Sequence, residues 1–580
     1  MKLSKYLKPY WLLAILSPLL MIGEVVVDLF QPKLMGKIVD EGVLGENMDV
    51  VVQTGLLMLG LVLIGGFFGT LCAYTASKAA QGFAHDLRCD AFNKVMSLSI
   101  EQTDKFTVGS LVTRLTNDIS MVQQLVQMLL RMFVRAPIFL IGGSIMMLTL
   151  NVKFSLVALA GLPILLVLVV LFLRKVTPLF GQVQKKLDRV NSVVQENVGG
   201  ARVIKAYVRE DYENDRFEQA NRDFYQVNYK VMSIMCFLSP LLMIVMNLAV
   251  VVIIYIGGLE AQAQNIKPGE IMAAVTYLTQ IFHSVMMVNM MFQSLSRSAA
   301  SAKRINEVLD SDPVIVSGTE TTGTETDCCI SFRHVDFFYP GAAGRPVLND
   351  INLEVRRGET LAVIGATGSG KSSLVKLIPR FYDVTGGEVC IDGVPVQEYD
   401  LDALRHKISY VMQKSELFSD TIANNIRWGK EDATEAEIRD AAETAQADAF
   451  VRGFQDDYNT FIAEKGASLS GGQKQRISIA RALVRKPEIL ILDDSTSALD
   501  LATESKLRGA LRQKMKGTTV VMIAQRIASV READRIAVMD GGTIVACDTH
   551  ENLLKTCAAY REIYDSQMKS GAYAEGGADL

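Results

Sequence analysis

The segment Gly365-Ala-Thr-Gly-Ser-Gly-Lys-Ser372 has the residue types and spacing to grip phosphate. It is a glycine, four residues, then Gly370-Lys371-Ser372. An apolar run, Leu361–Ile364, reads as a buried strand before it, and an apolar helical pattern follows. Glycines at 365, 368 and 370 let backbone N–H groups converge on phosphate oxygens, with Thr367, Ser369 and Ser373 completing the loop. Lys371 would reach the β- and γ-phosphates of a nucleotide, and the Ser372 hydroxyl would ligate Mg²⁺. Further on, the apolar run Ile489–Leu492 ends in Asp493, a carboxylate suited to the same ion. Between them lies Leu469-Ser470-Gly471-Gly472-Gln473 ahead of a helix-forming stretch. A Ser-Gly-Gly turn at a helix start is a second anion site, so it implies a second nucleotide.

A strand-and-helix domain must hold these loops, and only the second half of the chain reads as one. The whole chain has 580 residues, of which 49% are hydrophobic and 21% charged, but the first 300 residues hold long uncharged runs. A membrane-spanning helix needs about 20 apolar residues. Six segments qualify or nearly do: roughly 10–30, 50–77, 131–152, 154–173, 231–259 and 271–296. Further spans and the missing small-residue cleavage site argue against a signal peptide at the start. The links after the second and fourth spans are long, polar and helix-like, and the last of them is rich in Lys and Arg. The positive-inside rule puts these links and both termini in the cytoplasm. Residues 1–309 are therefore expected as the transmembrane domain, 310–329 as a polar linker, 330–567 as the soluble domain and 568–580 as a frayed tail.

Two carboxylates, Glu24 and Asp28, interrupt the first span on one helical face. They suit a cation-attracting or proton-linked group on a translocation path, or an internal ion pair, or a headgroup-level position. Spans five and six carry Met232, Met235, Met243, Met246, Phe282, Met286, Met287, Met290, Met291 and Phe292. Thioethers suit either ordinary packing and lipid contact or a pocket for apolar compounds. The eight cysteines show no metal or disulfide spacing and read as reduced thiols. A net charge of −4 gives no field for nucleic acid.

The phosphate loop, the Leu469–Gln473 segment about 20 residues before Asp493, and their order after six spans resemble the ABC transporter superfamily, exporter type. The resemblance covers nearly the whole chain. It implies a six-span α-helical domain fused to an α/β P-loop ATPase domain, with ATP and Mg²⁺ as cofactors. Tyr339 resembles the aromatic that stacks on adenine, and Gln413 the glutamine that links Mg²⁺ to the membrane domain. Glu464 and Gly466 resemble the segment that communicates with the cytoplasmic links, and Ser497–Asp500 the loop that faces a partner. Thr103–Phe106 and Ile204–Tyr207 resemble coupling helices. In this family two ATPase domains pair head to tail, each nucleotide lying between one P-loop and the other chain's Leu-Ser-Gly-Gly-Gln. A chain with one of each is a half-transporter that must pair with a second.

Two positions depart from the family pattern. Family members usually carry glutamate after the Asp493 position, to polarise the attacking water; here it is Asp494. They usually carry histidine after the next apolar strand; here Val520–Ala524 leads to Gln525. Aspartate is one methylene shorter, and a misplacement of about 1 Å can cost on the order of 100-fold in rate. Glutamine bonds to phosphate but carries no titratable charge. The combination resembles the degenerate-site subunit of bacterial heterodimeric multidrug exporters, with the intact Leu469–Gln473 segment serving a partner's site; a slow homodimer is the alternative. The expected activity is ATP-driven export of amphipathic or drug-like compounds by alternating access, in a bacterial inner membrane. Export of a specific lipid, peptide or thiol- or haem-type cargo, import, a regulatory ATP-binding subunit and a non-transporting ATPase are the rival readings.

Overall fold

The computed structural model describes residues 2–324, 326–342 and 344–575. It divides into two compact units, 1–96 with 109–311, and 97–108 with 312–580.

The first unit is helical. Helices α1 (Trp11–Lys37), α2 (Met48–Ser97), α3 (Ile100–Phe106), α4 (Val108–Thr113), α5 (Ile119–Leu150), α6 (Val152–Gly199), α7 (Ala201–Ala206), α8 (Glu210–Gln262) and α9 (Pro268–Leu309) follow in order, α3 belonging to the second unit. Among the described residues, six helical stretches are long and apolar enough to cross a membrane, as the hydropathy pattern expects. The long polar links are continuations of the spans themselves. At a rise of 1.5 Å per residue, the 53 residues of α8 reach about 80 Å, far more than a bilayer core of about 30 Å. Between α5 and α6 the chain reverses at Asn151, which is extended and accepts the Lys153 backbone N–H at 2.8 Å as an N-cap.

The charged residues of the first and third spans find each other. Arg135 of α5 donates to Glu24 Oε1 at 2.9 Å and to Asp28 Oδ2 at 3.2 Å on α1. The two carboxylates, one helical turn apart, thus form an internal ion cluster that locks α1 to α5. Small residues let α2 close on α1, where a side chain on Gly23 would strike the Phe68 ring. Of the Met/Phe-rich set, Phe282 and Met291 are buried and Met232 and Met243 exposed, while the side chains of Met290 and Phe292 lie outside the described residues.

The second unit holds two sheets. Strands β1 (Cys328–Phe337), β2 (Leu348–Arg356), β4 (Gly386–Ile391) and β5 (Val394–Pro395) form an antiparallel sheet in the order β2-β1-β4-β5. The larger sheet runs β10-β9-β3-β8-β7-β6, from β3 (Thr360–Gly365), β6 (Ile408–Val411), β7 (Ile489–Asp493), β8 (Thr519–Ile523), β9 (Arg535–Asp540) and β10 (Thr543–Asp548). It is parallel except for its β10 edge. Its central strands are apolar throughout because both faces are covered. Leu361, Val363, Ile489 and Ile491 pack into one core, and Ala362, Ile364, Leu490 and Leu492 into the other. Burial of each large apolar side chain contributes about 1.5–3 kcal/mol, which fixes the strand ends where the site residues sit.

The polar stretch expected as a linker is pinned to the second unit. Gly318 N–H donates to the Tyr399 carbonyl at 2.8 Å, and buried Arg380 donates to the Val316 carbonyl at 2.9 Å. The helix Ala558–Glu575 runs into the segment expected to fray, and residues 576–580 of that segment lie outside the described residues.

Candidate functional site

The phosphate loop joins β3 to α10 (Lys371–Leu377). Gly368 and Gly370 take the left-handed backbone, with φ of +84° and +97°, which side-chain-bearing residues rarely adopt. At Gly370 a Cβ would also stand 2.8 Å from Leu348 and 2.9 Å from the Val347 carbonyl. The Lys371 ammonium lies along the loop, donating to the carbonyls of Gly365 at 2.9 Å and Ala366 at 2.7 Å. Burial holds its pKa below the ordinary lysine value, and Asp494 and Asp493 pull the other way.

The carboxylate of Asp493, at the end of β7, is gripped from both sides. Ser372 Oγ donates to Oδ1 at 2.7 Å and Tyr410 OH to Oδ2 at 2.7 Å. Burial and the Asp493 charge push the Tyr410 phenol upward, so it stays a donor. Asp494 follows with φ of +49°, its N–H donating to the Ile523 carbonyl at 3.1 Å. Aspartate tolerates this left-handed backbone better than most residues. Its Oδ2 accepts two amides, Gln413 Nε2 at 3.2 Å and Gln525 Nε2 at 2.8 Å. Burial raises the Asp494 pKa, while the Gln413 and Gln525 hydrogen bonds lower it in part.

The residues fit a nucleotide with Mg²⁺. The Ser369 hydroxyl is buried in the loop with no partner, a donor in want of an acceptor such as a phosphate oxygen. Ser372 and Asp493 supply hard oxygen ligands, with Gln413 held on the neighbouring Asp494, which suits a Mg²⁺ held by few protein groups and by phosphate. Tyr339 donates to or accepts from Ser373 Oγ at 3.0 Å and stands edge-on to Tyr382, with ring centroids 5.3 Å apart. Tyr382 OH in turn donates to Asp104 of α3 at 3.1 Å. Ser99 and Gln102 cap α3, and Gln102 Nε2 donates to the Asp312 carbonyl at 2.8 Å.

Ser470 caps the helix Gly471–Leu483 through a reciprocal box with Gln473, at 2.9 and 3.3 Å. None of the described hydrogen bonds joins Leu469–Gln473 to the chain's own P-loop; the segment packs on Ala498 instead. Gln475 Oε1 accepts the Ala498 N–H at 3.1 Å, and Ser497 Oγ donates to the Asp494 carbonyl at 3.0 Å. Asp500 caps the next helix through the Thr503 N–H at 2.8 Å. Glu464 and Gly466 form a short helical turn, with Gly466 at φ of +69°. Tyr207 closes α7 in the first unit and is 75% exposed, so the two segments expected as coupling helices fall in different units. Phe106 ends α3 and is half-buried.

Sequence reasoning passed over Tyr410 and Gln475. The signal for Tyr410 was its place on the strand just ahead of Gln413, beside the strand that ends at Asp493.

Six spans fused to a P-loop domain of this topology define an integral, multi-pass membrane protein with a cytoplasmic ATPase domain. Comparison with known families and proteins agrees. Residues 14–285 match the ABC transporter transmembrane region family and residues 348–497 the ABC transporter family. The chain is 40% identical over 570 residues to the uncharacterized ABC transporter ATP-binding protein YfiB of Bacillus subtilis, covering 98% of each. It is 32% identical over 567 residues to an ATP-dependent lipid A-core flippase of Chromobacterium violaceum, covering 98% of this chain and 97% of that one. A solved bacterial Atm1-family ABC exporter with ATP bound shares the fold, with a TM-score of 0.77 and 24% identity over 97% of this chain and 98% of that one. The chain belongs to the ABC transporter superfamily, as a fusion of transmembrane and ATPase domains.

Proposed function

We propose that this chain is one half of a heterodimeric exporter whose own P-loop site binds Mg·ATP but hydrolyses it slowly. Binding is assigned to the loop Gly365–Ser373, with Ser372, Asp493 and Gln413 around the metal and Tyr339 against adenine. When bound, Mg²⁺ neutralises charge developing on the phosphates. Lys371 neutralises phosphate beside it, and the left-handed glycines present their N–H groups. The observation that carries the reading is the pair of amides on Asp494 Oδ2. That oxygen already accepts two N–H bonds, on a side chain one methylene shorter than glutamate, so it is poorly placed to orient and deprotonate water. Gln525, where histidine is usual, is one of those donors and has no titratable group to take up or release a proton.

The intact Leu469–Gln473 segment and Asp500 then serve the second nucleotide, on the partner's P-loop. The exposed tip of α7, with Val203, Tyr207 and Val208 open to solvent, supports a partner beyond this chain. ATP closes the two ATPase domains, the coupling segments at Phe106 and Tyr207 carry the closure to the spans, and hydrolysis at the competent site resets the pair. The cargo in this reading is an amphipathic or drug-like small molecule. A cavity of about 370 Å³ lined by Met243, Met246, Phe282, His283 and Met286 supports it. Lipid cargo is the second reading, favoured by relatives named as lipid A-core flippases.

The test is hydrolysis by the chain alone and by the complex isolated with its natural partner. A nearly inactive chain, an active pair, and loss of the pair's activity when the partner's catalytic glutamate is changed to glutamine are the expected results. Brisk hydrolysis by the chain alone would replace the heterodimer with a homodimer.

A further inference from the structure

Within the helical unit, methionines of α1, α5 and α9, including Met21, Met128 and Met287, enclose a cavity of about 390 Å³. Its polar wall consists of Gln124, Gln127, Arg131 and Arg135, all from α5. The sign of the charge that faces the cavity decides what it can hold. Glu24 and Asp28 are not part of the wall; both turn to Arg135, and the second oxygen of Glu24 sits buried over Gly69 of α2. One guanidinium remains, because Arg135 is already met by both carboxylates. Arg135 has a buried Nε with no partner, and Arg131 has no hydrogen bond or ion pair among the described residues. An unpaired guanidinium that faces a cavity is free to pair with the head of an anion.

Depth adds a second constraint. The α5 end near Asp118 leads back through α4 to the segment 97–108, which belongs to the cytoplasmic ATPase unit, so Leu150 is the outer end. Arg131 lies 19 residues from Leu150, about 28 Å along the helix. Across a core about 30 Å thick, that is the level of the inner-leaflet headgroups. Guanidinium matches phosphate and carboxylate geometry through paired N–H donors. The methionines offer an adaptable apolar surface for a tail.

We infer that this cavity takes an amphipathic anion, its phosphate, sulfate or carboxylate head on Arg131 and its apolar tail among the methionines. This deepens the exporter reading and rests on it, since it names the charge class of the cargo. It also replaces the cation-attracting role that Glu24 and Asp28 suggest as a sequence.

The test uses the full chain in phosphatidylcholine nanodiscs and the anisotropy of a fluorescent-tailed alkyl phosphate. Dodecyl phosphate should displace the probe at concentrations about 10-fold lower than dodecyltrimethylammonium. Arg131→Gln should weaken the phosphate by about 10-fold, Arg131→Glu by more, and Arg131→Lys by less. Equal or better displacement by the cation in the unmodified chain would overturn the inference, and that comparison needs no variant to fold. Unchanged phosphate binding by Arg131→Glu would overturn it too. Adding phosphatidic acid to the nanodiscs separates the sources: displacement points to a two-chain lipid, and its failure to a single-chain amphipath, both with an anionic head. Failure of the exporter reading would look different, as phosphate binding intact while no amphipath alters ATP hydrolysis.

Discussion

Asp494 and Asp493 are neighbours with opposite circumstances. Asp493 receives two hydroxyl donors at the proposed metal position, whereas Asp494 is buried under two amides and burial raises its pKa. Its raised pKa means that folding disfavours the charged form. The stability it contributes is present below the unfolded aspartate pKa and is lost as pH rises through the higher folded value. At pH 7 the charge therefore opposes folding, and Asp494→Asn should raise the melting temperature of the ATPase domain by about 2 °C while lowering residual hydrolysis further. A drop in melting temperature would show that the amides outweigh the burial. Tyr410→Phe removes one of the two donors to Asp493 and should weaken Mg·ATP binding about tenfold, read by equilibrium titration. Affinity equal to the parent would leave Tyr410 with no role at the metal. The motif residues were legible because each sits in a fixed local frame, strand then glycine loop then helix. Tyr410 was not, because it reaches Asp493 across two paired strands 83 residues apart in sequence.

Among the elements, hydropathy was enough to find the spans, since a bilayer demands length and apolarity and nothing more specific. Their partners were hidden. Arg135 meets Glu24 and Asp28 over separations of 111 and 107 residues, and helical periodicity gives only the shared face, not the cation that faces it. Arg135→Leu would leave two carboxylates unpaired within the bundle and should destabilise the helical unit by about 3 kcal/mol or more. Thermal melting followed by size-exclusion chromatography should show that loss, and the triple change Glu24→Gln, Asp28→Asn and Arg135→Gln should recover most of it. A single Arg135→Leu variant as stable as the parent would mean that the cluster does not hold α1 to α5. The docking of α3 was equally silent in sequence, because Tyr382 and Asp104 are 278 residues apart.

For the whole molecule, the chain pairs a P-loop with a Ser470-Gly471-Gly472-Gln473 turn that no described hydrogen bond joins to it, and carries an exposed apolar tip at α7. The departures at Asp494 and Gln525 were visible as residue types, but only the fold brings both amides onto one carboxylate oxygen. If that arrangement is what slows hydrolysis, restoring the usual residues must speed it. The measurement is the Mg·ATP hydrolysis rate of the purified chain against its Asp494→Glu, Gln525→His double variant under the same conditions. The expected result is a slow parent and a variant at least about 10-fold faster. A parent that already hydrolyses as fast as the variant would contradict the impaired site and, with it, the need for an unlike partner.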